Sequence, residues 1–355
     1  MRSEPEFSSI FGFAMLGQTR KGTDMGIGDT FASAMARLPI YGALHRSFEL
    51  VYNPADPAFR VDYLEGAGDP GALGPDSLTW RVMANPLVFA IGAVPAVILQ
   101  LAEEGVGTGV DTFSDYKVDT LGRTQRTLSA ALASTYASRQ AKAGLMREVA
   151  SRHAKVRGQL SDGGRYTAFD PERMAFVHLT ANMGFAAAYE RFVLGRPLTM
   201  AERDQLIQEG AAITADYGRF EIPRTAADAE ALVRSFEPRL KRGAPMDNFI
   251  AVARGDAGPG IGGRGSKQLL FDAGLDLLPD WAKDKFGLRR SVRREAATIA
   301  LLRPLARFVP RLLKDTPPQL ACRRMGLPDD HLFRPVPKTA GAGRAGAPVD
   351  GLSRP

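Results

Sequence analysis

Apolar residues recur at intervals of three and four through most of the chain, which is the signature of helices that bury one side. Leu145, Val149, His153, Val156 and Leu160 share one side of a helix predicted over 141–159. Met174, His178, Ala181 and Phe185 share one side of the next, predicted over 171–192. The same spacing predicts helices over 95–104, 120–138, 199–217 and 226–240. Several starts are marked chemically. Asp170-Pro171-Glu172 supplies an N-cap, a first-turn proline and an acid. Thr199 and Glu202 form a capping box, and Thr225 with Asp228 a variant of one. The stretch 82–102 carries no charge and is long enough for a bilayer span. Asn85, Pro86, Gly92, Pro95 and Gln100 interrupt it, so it reads as a buried helix with Pro95 in its first turn.

Outside these helices the pattern weakens. Residues 1–75 are rich in Gly, Pro and Asp and predict short helices and turns. Residues 241–265 read as a linker; their glycine run lacks the Gly-Lys-Ser/Thr ending of a phosphate loop. Helix returns over 267–315, and the tail 335–355 has a disordered composition. The fold class is therefore mainly α: one large helical domain around a buried pocket, with its core at 80–240. Residues 1–79 pack on that core and 267–334 extend it.

Composition adds bounds. With 355 residues, 45% of them apolar, the chain can build a large core. The lone Cys322 allows no internal disulfide and fits a reducing compartment. The first residues carry acids where a secretory signal needs an apolar run, so a cytoplasmic location is expected. The net charge of +7 favours anionic partners. The segment 291–313 is amphipathic and basic, with Arg293, Arg294, Arg303, Arg307 and Arg311. No helix-turn-helix or zinc pattern accompanies it, so nucleic acid is not expected. Docking on the core is the favoured reading, with peripheral membrane contact second.

Two of the four histidines, His153 and His178, lie on apolar helix sides, where an imidazole needs a hydrogen bond or a metal. No Glu-x-x-His pair and no His-Glu-x-x-His motif occurs, which excludes a di-iron bundle and a helical zinc protease site. A macrocycle that needs one protein ligand and a satisfied core histidine both remain open. His45 and His331 fall in less periodic, more exposed segments. Asp119 can cap a helix whose first turns carry Arg123, Arg126 and Thr127. Such a cluster either polarises an anion or oxygen species or is a solvated helix side. Cys322 reads as an ordinary thiol whose neighbouring arginines lower its pKa, and no Gly-x-Ser-x-Gly elbow is present.

An ordered series of segments from Val97 to about Leu240 resembles the MpaB-type oxygenases, which include the latex-clearing rubber oxygenases. The series begins with Ile98-Leu99-Gln100-Leu101-Ala102, Gly109-Val110, and Leu121-Gly122-Arg123 with Thr127. It continues with Val149 to His153, Val156, Gly158 and Tyr166 to Pro171. Val177-His178, Ala188-Tyr189-Glu190, Leu198-Thr199 with Glu202, and Pro223-Arg224-Thr225 complete it. The resemblance implies an all-helical fold that binds heme b through one histidine and attacks an apolar, isoprenoid double bond with dioxygen. By position it implies His153 as the iron ligand, His178 as a second cofactor-side histidine, and Arg123, Arg126 and Thr127 as catalytic residues. Two departures stand out. Glu103-Glu104 replace the family's usual His-Pro, and Arg126 stands where the latex enzymes have Lys. Glu103 and Glu104 keep open a second reading, a heme-free helical binding protein for a lipid or other apolar ligand.

Overall fold

The computed structural model describes residues 52–114, 118–215, 217, 220–255 and 264–334. His45, most of the predicted N-terminal irregular region and the 335–355 tail lie outside them. Ser77 caps α1 (Leu78–Met83), and Asn85 caps α2 (Pro86–Ala102) by accepting from the amides of Leu87 and Val88. Helix α2 thus starts at Pro86, and Pro95 sits inside it, contrary to the start predicted at Pro95. Asn85-Pro86 is itself a cap and first-turn pair. Pro95 leaves the Ile91 carbonyl without its helical donor. Gly274 packs against that carbonyl, and a side-chain carbon there would lie 2.7 Å from it. Thirteen of the seventeen α2 residues are buried. Among the described residues no single helix is long and apolar enough to cross a membrane. Helix α2 passes that test only together with α3 (Glu104–Phe113), to which it is bent by 102°.

Helices α4 (Thr120–Tyr136) and α5 (Arg139–His153) follow, and then the chain departs from prediction. Helix does not continue to residue 159. The strands β1 (Arg157–Gln159) and β2 (Arg165–Thr167) pair antiparallel, with Gly158 opposite Tyr166. Gly158 makes room for the tyrosine ring, which a side-chain carbon would approach to 2.7 Å. Gly109 of α3 touches the same ring and Val156, so several segments of the family resemblance meet in one packing cluster.

Asp170 caps α6 (Pro171–Tyr189), which ends in a wide π turn, Glu190–Leu194. The predicted capping boxes start α7 (Met200–Thr214) and α8 (Ala226–Ser235). The predicted 241–265 linker contains a helix, α9 (Ala244–Arg254), with Met246 and Ile250 buried one turn apart. Flanking glycines and prolines mask that pair in the sequence. Then come α10 (Arg264–Asp276), α11 (Asp280–Phe286), α12 (Val292–Leu312) and α13 (Pro317–Arg324).

The centre is the crossing of α2 and α6 at Gly92 and Gly184. A side-chain carbon at Gly184 would lie 2.3 Å from the Gly92 carbonyl oxygen, so the backbones touch. Ile98, Phe176, Leu179, Phe236, Met246, Phe271 and Leu275 form the main core, to which the C-terminal helices contribute directly. A second cluster joins Trp80, Leu132, Tyr136, Leu145 and Cys322, and the Tyr136 hydroxyl donates to the Trp80 carbonyl at 2.7 Å. Helix α12 docks through Leu302, Ala306 and Val309 against Leu87, Val88 and Phe192, the arrangement favoured from its pattern. Leu301 and Leu305 on its outer side are exposed.

Candidate functional site

The apolar side of α5 delivers His153 as its last residue, after the buried Leu145 and Val149. The hydroxyl of Tyr217 lies 2.5 Å from Nδ1 of His153. Tyr217 follows α7 in a turn closed by its amide donating to the Thr214 carbonyl at 2.9 Å. The Tyr217 and Phe169 rings stand edge-on to the imidazole, with centroids at 5.7 and 6.4 Å. Burial holds the His153 pKa below its ordinary value, and the nearby Arg123 charge lowers it further. Burial also raises the Tyr217 pKa. At neutral pH the pair is therefore neutral imidazole against neutral phenol. Among the described residues Nε2 of His153 makes no hydrogen bond.

Arg123 lies near enough for its charge to act on the His153 imidazole. Its Nη1 donates to the Thr127 hydroxyl at 2.6 Å, and that hydroxyl donates back to the Arg123 carbonyl at 3.0 Å. Thr127 holds the arginine in place. Asp119 caps α4 as predicted, accepting from the Gly122 amide at 2.8 Å. Arg126 pairs with that same Asp119 at 3.4 Å.

His178 occupies a tighter setting. Its Nε2 is buried and has no hydrogen-bond partner. A side-chain carbon at Gly210 of α7 would lie 2.5 Å from this nitrogen, so the backbone of α7 closes over it. A metal at about 2 Å from that atom would collide with the helix. The turn that carries His178 is fixed from two sides. Gln100 of α2 donates to the Val177 carbonyl and the Thr180 hydroxyl, each at 3.1 Å, and Asn182 donates to the Leu206 carbonyl of α7 at 3.1 Å. Gly210 and Tyr217 are two turns apart along the same chain, so both histidines abut α7 and the turn that follows it.

Burial lowers the His178 pKa from 6.5 to about 4. The unfolded chain therefore binds more protons than the fold between these values. The stabilisation is complete above pH 6.5 and is lost as pH falls towards 4. It amounts to up to about 3 kcal/mol. Urea unfolding from pH 7 to 4 is expected to show this loss, and His178→Gln is expected to flatten that part of the profile.

The two acids that replace His-Pro serve structure. Glu103 is buried, pairs with Arg173 at 2.9 Å and caps α3 through the Val106 amide at 2.8 Å. Glu104 accepts from the amide and hydroxyl of Ser161 at 2.6 and 3.1 Å, tying α3 to the hairpin. Cys322 is buried, and its pKa is pushed up to about 11 because desolvation outweighs Arg81 and Arg324, contrary to the lowering expected from neighbouring arginines. His331 is not the exposed group its sequence context suggested: its Nε2 is buried without a partner. Sequence reasoning missed Tyr217 and Gly210. Tyr217 stood at the end of a predicted helix with nothing to mark it as the neighbour of His153.

A cavity of about 170 Å³ lies between α2, α6, α7 and α8, lined by Leu99, Met183, Leu206, Ile207 and several alanines, with Thr180, Asn182, Glu190, Arg203 and Glu230 as its polar part. It borders the α6 turn of His178 and does not include His153. A larger, arginine-lined cavity elsewhere shares no residue with the histidine site.

The family model described as ER-bound oxygenase mpaB/B'/rubber oxygenase, catalytic domain, matches residues 80–311. The chain belongs to this family. No curated protein and no solved structure matches it. The matched region runs beyond the 97–240 resemblance at both ends and takes in α9, α10, α11 and nearly all of α12. As an mpaB/rubber oxygenase domain, the chain carries an oxygenase catalytic domain that contains both histidines, Arg123 and Tyr217.

Among the described residues no three His, Cys, Asp or Glu side chains converge to chelate a bare ion. The donor chemistry fits a macrocyclic cofactor that asks the protein for one nitrogen. In the tautomer whose Nδ1–H donates to Tyr217, the Nε2 lone pair would be left for such a cofactor's metal.

Proposed function

We propose that this chain is a heme b-dependent oxygenase that acts on an apolar, isoprenoid-like alkene with dioxygen. His153 is its axial ligand. The observation that carries the reading is the 2.5 Å contact between His153 Nδ1 and Tyr217, with Arg123 beside it. An axial histidine needs its second nitrogen anchored, and Tyr217 supplies that anchor. Heme b, when bound, supplies the redox-active iron for dioxygen chemistry.

The protein's own residues do the rest. Burial keeps His153 neutral, so its lone pair is available at physiological pH. Arg123 brings a positive charge close to His153, where it would stabilise negative charge that develops on oxygen. Thr127 keeps that guanidinium in position. His178 remains neutral and seals the α6–α7 contact.

Thr127→Ala is expected to keep the cofactor and lower turnover by about tenfold, because Arg123 loses its orienting partner. Dioxygen consumption with an isoprenoid oligomer measures this, beside heme content by absorbance. The heme-free binding reading requires both histidines to act as satisfied core donors; the unpartnered Nε2 of His178 does not favour it. Hemin titration of the purified chain separates the two readings.

A further inference from the structure

A cavity of about 500 Å³ opens where α9, α11 and the start of α12 meet. Arg242, Arg254, Arg289, Arg290 and Arg294 line it with Ser291, and among the described residues no carboxylate does. Four of these guanidiniums are anchored by acids that stay out of the lining. Asp247 holds Arg242 at 2.8 Å, both oxygens of Asp284 hold Arg289 at 2.6 and 2.7 Å, Asp276 holds Arg290 at 2.5 Å, and Asp272 lies 3.8 Å from Arg254. Each guanidinium has five N–H donors, so donors remain on all four. Arg294 pairs with no described carboxylate. Local pairs five residues apart account for Arg242 and Arg289, and pairs to α10 for Arg254 and Arg290; neither accounts for Arg294, nor for five arginines on one cavity.

The structure assigns this cavity, in our reading, to a phosphate-bearing ligand, with Arg294 and its four anchored neighbours as donors. Guanidinium forks match phosphate oxygens in pairs, and anchoring by acids fixes the forks before the ligand arrives. The first amides of α12, which begins at Val292, add to the same positive field. The volume suits a small phosphorylated molecule or one lipid headgroup.

Isothermal titration of the purified full chain with inorganic pyrophosphate tests the assignment. Saturable binding that weakens with added salt is expected. Arg294→Glu breaks no ion pair among the described residues and is expected to weaken binding by about tenfold or more. Arg165→Glu, at an exposed position on β2, is expected to change nothing. Absence of saturable binding, or equal weakening by both variants, would overturn the assignment. Sedimentation with phosphatidylcholine vesicles, with and without phosphatidic acid, identifies the source. Arg294-dependent capture by phosphatidic acid assigns the site to a lipid headgroup; pyrophosphate binding without capture assigns it to a soluble phosphate.

Discussion

Replacing His153 by alanine is expected to abolish heme binding while the fold survives. His153 is the last residue of α5, half-buried, and among the described residues its side chain hydrogen-bonds only Tyr217. Removing the ring deletes the Nε2 that makes no hydrogen bond among the described residues. His178 cannot take its place, since the α7 backbone at Gly210 closes over its Nε2. Hemin added to the His153→Ala chain should give the spectrum of free hemin, and circular dichroism should report unchanged helix. Tyr217→Phe is the graded companion. It keeps the ligand and loses the anchor, and the usual cost of such a loss is about ten- to a hundredfold in affinity. Retention of full heme content by His153→Ala would show that the ligand lies elsewhere.

The second large effect belongs to the fold. Gly184→Val is expected to destabilise the protein by about 3 kcal/mol, because the α2 and α6 backbones meet where its side chain would stand. The first side-chain carbon would fall 2.3 Å from the Gly92 carbonyl oxygen and 3.3 Å from the Pro95 ring. Neither helix has room to retreat, since α2 is buried along most of its length. Gly144→Ala gives the contrast. Gly144 lies within α5, and the nearest atom to an added carbon is 3.9 Å away, on the mobile end of Arg147. That change should stabilise the fold by up to about 1 kcal/mol through helix propensity alone. Guanidinium unfolding midpoints of the two variants should move in opposite directions.

These contrasts show what a one-dimensional pattern carries. Asp119, Asp170, Thr199 and Thr225 cap helices as their sequence contexts predicted, because capping is settled within four residues. Arg123 and Thr127 bond because they are one turn apart. The helix predicted to run through 159 stops at His153, since its apolar spacing cannot register that Gly158 must lie against the Tyr166 ring. Pro95 looked like a helix start because its lost hydrogen bond was visible, while Gly274, which covers the freed carbonyl, is remote in sequence. Tyr217 was invisible for the same reason: 64 residues separate it from His153, and nothing local ties them. The histidine itself was legible, and the group that orients it was not.

Hemin titration of the purified protein, followed by absorbance and iron analysis, tests the central claim most directly. The account predicts saturation at one heme per chain, with a shifted Soret band that His153→Ala removes. A well-folded chain that leaves the hemin spectrum unchanged would contradict it.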